Sequence, residues 1–389
     1  MTDALTWLAA RTRKTSTRAI LAFFFALPII KGVVNRLMEG GRGFGDDFEA
    51  VLCAGRQAHA GALYYGPAGA CTDISHTPFV YLPWVAEGAS WIIGLIGTQG
   101  LVLVYAAMYL AALSFLIYQV FLNKAVPGRL VERLLFLGLI TGSAVVLGNV
   151  AIPLHALVLA GALMVTSSVL PLALALGLAA AFKPILITFG AVFLLAPLSW
   201  PRRIMGGGLA LVLAAIPWVL SYQAGGASWE AWAAVTREMA VSVAPGDGFW
   251  GWLAVFGVSG TAPAAIAGYL VFAIALTVFG FVVAAQAGLS ARERVWLGLA
   301  LGTLLIPRLM AIDVYLLAPG MLACVLAART AAPGVFRAVS WLVIGGCFLG
   351  LLFDLVDLGD FSLKTALLSF MLAFIVAGVG VWRSPTRAA

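Results

Sequence analysis

Charge is scarce in this chain: only 10% of its 389 residues are Asp, Glu, Lys or Arg, and three are His. A soluble globular protein carries about 25% charged residues, so that class is excluded. No alternating apolar and polar segments of the length a membrane barrel uses are present. Cys-x-x-Cys, His-Glu-x-x-His and P-loop patterns are all missing, which leaves zinc chemistry and nucleotide hydrolysis without support. The first apolar run, 19 to 30, leads into Lys31 without a small-x-small cleavage site, so it reads as an anchor and not as a removable signal. Basic residues never accumulate into a long run, so the net charge of +7 does not read as a nucleic-acid surface.

What is present is hydrophobic sequence: 63% of residues, with a mean hydropathy of +1.05. Apolar runs recur along almost the whole length and leave no room for a separate soluble domain. In lipid every backbone N–H and C=O needs an internal partner, so helices are the expected spanning element. The expectation is a single all-α polytopic membrane domain of about 12 spans. They fall near 19–36, 100–122, 134–148, 152–168, 170–182, 184–198, 207–222, 263–287, 295–306, 313–329, 339–353 and 362–382. Several are shorter than the ~20 residues a perpendicular helix needs, which points to tilted or broken helices.

The few charges partition sharply. With both termini cytoplasmic, the inner segments hold 15 of 23 basic residues with only Asp3, Glu132 and Glu293 beside them. Asp46, Asp47, Glu49, Asp313, Asp354, Asp357 and Asp360 then fall at the opposite side, as the positive-inside rule favours. Residues 79–97 are apolar enough to span, but spanning would put Lys124, Arg129 and Arg133 outside. They read instead as a re-entrant or interfacial helix, with Trp84 and Trp91 at headgroup level and Glu87 toward water; an extra span is the alternative. The first outer loop therefore covers about 37–99 and a second covers about 223–262, both far longer than helix connections require. In the second, Trp229 and Trp232 lie three apart on an amphipathic stretch, and Pro245-Gly246-Asp247-Gly248 is a turn.

Candidate chemistry sits at the outer boundary. In "GDDFEAVLCAGRQAHAGAL", Asp46 and Glu49 read as water-facing, and Asp47 opens a helix where an aspartate either caps the turn or lines a cavity. Lys183, between "GLAAAF" and Pro184, is a lone cation in uncharged membrane sequence and has no nearby acid. A bound phosphate or a reach toward lipid headgroups would each satisfy it. Arg308 poses the same problem, with Asp313 as a structural partner or a second substrate contact. His76 and His155 could share a cavity with Asp47. Cys53 and Cys71 share the first outer loop, where an oxidising periplasm permits a disulfide closing about 19 residues. Cys324 and Cys347 lie in apolar spans and read as small hydrophobes.

Five of these segments, in order between about 43 and 320, resemble the family 87 glycosyltransferases, GT-C membrane mannosyltransferases that use polyprenyl-phosphate mannose. They are "GDDFEAVLCAGRQAHAGALYY", "TPFVYLP", "LGNVAIPLHALVLAGAL", "GLAAAFKPILI" and "PRLMAIDVYLLAPG". Asn149 stands where the family pattern has Gln, and Val314 where it has His. The resemblance implies a GT-C fold in a bacterial inner membrane, with a long first extracytoplasmic loop. It implies transfer of a hexose, with mannose expected, to a hydroxyl of a glycolipid or polysaccharide acceptor. Asp47 is the implied general base, with Lys183 and Arg308 against the donor phosphate. Tyr81, Asn149, His155, Asp313 and Tyr315, with Asp46 and His76, are the implied substrate contacts. No cofactor and no metal ligand set are implied, although a divalent ion is compatible with the chemistry. A secondary transporter is the rival reading, since it too has broken spans and sparse membrane charges. The absence of two matching halves and the acidic outer loop favour the transferase.

Overall fold

The computed structural model describes residues 3–38, 45–65, 78–239 and 245–384, and among these every regular element is helical. A short amphipathic helix α1 (Ala4–Arg11) precedes the first long one, α2 (Thr15–Met38). The helix α3 (Asp46–His59) comes before α4 (Pro83–Ile117), and a broken segment follows. That segment has short turns of helix α5 (Leu130–Leu134) and α6 (Gly142–Val146), with a 3-10 turn Leu135–Leu139 between them. Two compact helices, α7 (Ala151–Met164) and α8 (Leu170–Phe182), form a hairpin that continues through a 3-10 turn Pro184–Gly190 into α9 (Ala191–Leu195). Next come α10 (Trp200–Ala224), α11 (Gly226–Arg237) and α12 (Phe249–Val255). The chain ends with α13 (Pro263–Gln286), α14 (Ala291–Leu304), α15 (Leu317–Ala331), α16 (Pro333–Leu355) and α17 (Gly359–Arg383).

Among the described residues, seven helical stretches are long and apolar enough to cross a membrane: Thr15–Met38, Pro83–Leu122, Trp200–Ala224, Pro263–Gln286, Ala311–Ala331, Pro333–Leu355 and Gly359–Arg383. The protein is therefore membrane-embedded. Other expected spans are shorter apolar helices, such as Ala151–Met164 and Leu170–Phe182. At 14 and 13 residues these reach only about 20 Å, short of a ~30 Å hydrocarbon core. One face of each is packed on its neighbours, while Leu157 on α7 and Leu170, Leu174 and Leu178 on α8 are exposed. The expected span 134–148 is not a continuous helix. The break falls at 140–141, and Gly142, which opens α6, lies against the backbone of Ile29, Gly32 and Val33 in α2.

Burial sorts the helices. The helix α15 and its neighbour α14 are almost wholly enclosed, with Trp296 and Tyr315 among the largest fully buried side chains. By contrast α2, α10 and α13 present Ile20, Phe23, Leu211, Val271 and Ile274 outward. An apolar exterior around a packed interior is what a lipid solvent selects, because exposing Leu or Phe to acyl chains costs nothing.

The backbone breaks between the stretch 79–97 and the expected span 100–122. At Gly97 (φ 73°, ψ 169°) the path leaves helical geometry, in a region open essentially only to glycine. This break separates the first piece of α4, expected in the outer loop, from the rest of the helix. The first piece packs on α3, where Gly55 lets Ala89 approach so closely that an added Cβ would stand 2.7 Å from the Ala89 Cβ. Glu87 and Trp91 are exposed, whereas Trp84 turns inward and stacks edge-on against Phe182, with centroids 4.4 Å apart.

The two ends of the bundle are both polar. At one, the Ala4 N–H donates to the Ser340 hydroxyl at 3.3 Å and Arg129 donates to the Leu5 carbonyl at 3.5 Å, gathering three of the basic segments. At the other end lie α3, the start of α7, the end of α8 and the turn before α15.

Candidate active site

The carboxylate of Asp47 is positioned by its own helix and by the segment before α7. Gly45, in left-handed conformation at φ 78°, turns the chain into α3, and its N–H donates to the Val146 carbonyl at 2.8 Å. The Asp47 N–H donates to the Leu147 carbonyl at 3.0 Å, so the first turn of α3 is tied to the 146–149 strap rather than left open. Asn149 then closes the contact: its amide donates to Asp47 Oδ2 at 2.6 Å while its Oδ1 accepts from the Ala151 N–H at 2.8 Å. One side chain thus starts α7 and orients the carboxylate. The strap is held from below by two tyrosines of α4, Tyr105 donating to the Gly148 carbonyl at 2.6 Å and Tyr109 to the Val145 carbonyl at 2.9 Å. Phe48 stacks flat on Tyr105, centroids 3.7 Å apart. Gly148 (φ 65°) packs on Gly45, a conformation and a closeness that a side chain would disturb.

Burial pushes the Asp47 carboxyl above the usual aspartate range. The Asn149 hydrogen bond and the charges of Lys183 and Arg308 work against that rise, and Asp46 adds to it. The two cations therefore lie within electrostatic reach of Asp47, although they come from elements more than a hundred residues later.

Lys183 ends α8 in an extended conformation, and Pro184, with no N–H to continue the helix, starts the tighter turn that follows. Its ammonium meets Asp313 Oδ1 at 2.9 Å, and Asp313 is completely buried. The second carboxylate oxygen accepts the Met310 N–H at 3.1 Å, so Asp313 also fixes the turn Ala311–Leu316. His155 of α7, equally buried, brings Nε2 to 3.7 Å from Asp313 Oδ1, beyond hydrogen-bond distance. Sequence spacing suggested that Lys183 had no acid and that Asp313 belonged with Arg308. The fold gives Lys183 an acid 130 positions away, and Asp313 still bears electrostatically on Arg308.

Tyr81 completes the convergence. It is buried, its backbone carbonyl accepts from the Tyr65 hydroxyl, and its phenol senses Asp47, Asp313 and Arg308. Tyr315 is buried nearby with a hydroxyl that finds no partner among the described residues. Asp46 is half-buried on the first residue of α3. His76 and Cys71 lie outside the described residues. Cys53 is disulfide-bonded, while Cys324 and Cys347 are free and buried. Among the described residues no group of His, Cys, Asp and Glu has the makings of a metal site.

A groove of about 500 Å³ runs between α3 and α4, lined by Phe48, Glu49, Leu52, Val102, Tyr105 and Tyr109 among others, with Asp47 itself outside its walls. Its walls are mainly apolar and it opens toward the exposed face of α4, where Leu110 stands 62% exposed.

Two functional-looking residues escaped the sequence reading. Asp247 and Lys364 form an ion pair at 3.1 Å, linking the second outer loop to α17. The signal was available for Lys364, a lone cation in apolar "FSLKTALLSF", by the argument already made for Lys183. The aromatic pair Trp229 and Trp232 packs on itself and on Trp218, and Trp232 donates to the Val80 carbonyl at 3.2 Å, pinning the segment that carries Tyr81. No protein-family model, no curated protein and no solved structure matches the chain.

Proposed function

We propose that this protein is a membrane glycosyltransferase of GT-C type. It moves a hexose, mannose by the motif resemblance, from a polyprenyl-phosphate donor to a hydroxyl of a glycolipid or polysaccharide on the extracytoplasmic side of a bacterial plasma membrane. The observation that carries the reading is the convergence of Asp47, held by Asn149, with Lys183 and Arg308 at one end of the bundle. A half-buried carboxylate within electrostatic reach of two cations has a base for the acceptor and a counter-charge for a phosphate in one place.

In this mechanism the acceptor O–H gives its proton to the free oxygen of Asp47 as the oxygen's electron pair forms the new bond to the anomeric carbon. The bond from that carbon to the phosphate oxygen breaks, and its electron pair leaves with polyprenyl phosphate. Attack opposite the departing group inverts the anomeric configuration. Lys183 and Arg308 stabilise the charge gathering on the phosphate, and in so enclosed a site such stabilisation is worth more than in water. Asn149 orients the base by occupying its other oxygen. The apolar groove along Phe48, Tyr105 and Tyr109 suits the isoprenoid chain of the donor.

The test is transfer of radiolabelled hexose from a polyprenyl-phosphate donor by purified protein in nanodiscs, wild type against Asp47→Asn. Transfer by the wild type and its loss in the variant are expected. Solute uptake into proteoliposomes without any transfer would sink the reading in favour of a transporter.

A further inference from the structure

Arg308 sits in a connection with no helix of its own, between α14 and the turn Ala311–Leu316. A side chain on such a segment needs its peptide fixed from outside if it is to meet a substrate in one geometry. The second outer loop supplies that. The Asp247 N–H donates to the Leu309 carbonyl at 2.6 Å, and the Trp250 N–H donates to the Pro307 carbonyl at 3.0 Å. These two bonds bracket Arg308 on either side. The loop lies flat on the segment: a Cβ on Gly246 would meet the Leu309 carbonyl oxygen at 2.6 Å, and one on Gly248 the Ile306 carbonyl oxygen at 2.7 Å.

The turn is in turn fastened to α17. Lys364 donates to Asp247 Oδ1 at 3.1 Å and to the Asp360 carbonyl at 2.8 Å, and Trp252 Nε1 donates to the Lys364 carbonyl at 3.3 Å. The side chains of Lys364 and Asp247 are only 12% and 22% exposed, so water screens the pair weakly. Neither residue neighbours Asp47 in sequence, and Lys364 has no other evident reason to interrupt an apolar helix.

We propose that Asp247 and Lys364 are positioning residues for Arg308. The turn they anchor fixes the peptide on both sides of the guanidinium and thereby sets the geometry in which the donor phosphate is bound. This rests on the transferase reading above, because it takes the donor phosphate as the ligand of Arg308.

The experiment measures donor KM and kcat for transfer from polyprenyl-phosphate mannose. It compares wild type, Asp247→Ala, Lys364→Met, the reversed pair D247K/K364D, Arg308→Ala and the double variant D247A/R308A, each taken forward as a monodisperse species in detergent. Asp247→Ala is expected to lower kcat/KM for the donor by roughly 10- to 100-fold, through a raised donor KM together with a lowered kcat, because Arg308 meets both the bound phosphate and the charge that gathers on it. Lys364→Met does the same, and supplies the measurement if Asp247→Ala fails to fold. The reversed pair recovers most of the loss, and D247A/R308A is no worse than R308A alone, because the two act through one contact. A donor kcat/KM unchanged in folded Asp247→Ala or Lys364→Met, or losses that multiply in the double variant, would overturn the positioning role and leave the transferase reading intact. Absence of transfer by the wild type overturns the transferase reading and the positioning role with it.

Discussion

Lys31 meets Asp357 at 2.8 Å and Lys183 meets Asp313 at 2.9 Å, yet the Asp357 side chain is 87% exposed and that of Asp313 is completely buried. Nearly equal distances conceal opposite energetics. The first pair stands in water, which screens it and competes for both partners, so it contributes little. The second has been stripped of water and survives because Met310 and Lys183 together satisfy the carboxylate. Removing one member of the exposed pair releases its partner to solvent. Removing one member of the buried pair strands a charge. Nature tolerates the second arrangement mainly where a site needs fixed charges, and it is the one beside Asp47.

Five substitutions would break or sharpen this contrast. Asp47→Asn should lower kcat for transfer by about 10²- to 10⁴-fold, the range of general base catalysis. It should leave stability intact or improved, since burial raises the carboxyl and ionised Asp47 opposes the fold; kinetics and a melting curve on the same sample check both halves. Next, Asp313→Ala should cost about 3–5 kcal/mol through the stranded Lys183, read as a lowered denaturation midpoint in detergent. Asp357→Ala, measured alongside, should leave that midpoint unmoved.

The pH dependence of transfer tests the buried environment itself. Asp47 works as a base only when ionised, so activity is full above its pKa and lost as pH falls through it. Because burial raises that pKa, the acid limb of kcat/KM should lie above the value for an ordinary aspartate, about 3.9. Asn149→Ala removes the hydrogen bond that opposes the rise and should move the limb to still higher pH, with a smaller loss at the plateau than Asp47→Asn gives. A limb that moved downward would contradict the assigned role of Asn149. The smallest effect belongs to Lys31→Ala, which should change neither transfer nor melting at physiological ionic strength.

How much of this was legible beforehand depended on whether the cause was local. Lone charges in apolar sequence stood out, so Lys183, Arg308 and Asp313 were found individually. Their pairing was not, because helical periodicity says nothing about which turn will face which across 130 residues. The separation of 79–97 from the 100–122 span was read from the charges at Lys124, Arg129 and Arg133, while the backbone break at Gly97 itself went unread. The 134–148 stretch read as a span because its composition is uniformly apolar, and composition does not show the break at 140–141, next to where Gly142 packs on α2. Trp229 and Trp232 carried the pattern of an interfacial belt and instead wrap the segment holding Tyr81, a distinction that aromatic spacing alone does not contain.

The separation of Lys183 from Asp313 also has a meaning in time. At about 5 to 20 residues per second of synthesis, the acid emerges roughly 6 to 26 seconds after the base it neutralises. Through that interval the nascent hairpin of α7 and α8 carries an ammonium without its acid at its open end, where α8 stops beside the start of α7. A charge there resists full immersion, and so keeps that end of the hairpin at the membrane surface until the later helices arrive. Biogenesis and catalysis would then use one lysine in sequence, first as a float that keeps the hairpin end at the interface and afterwards as a fixed cation of the finished site.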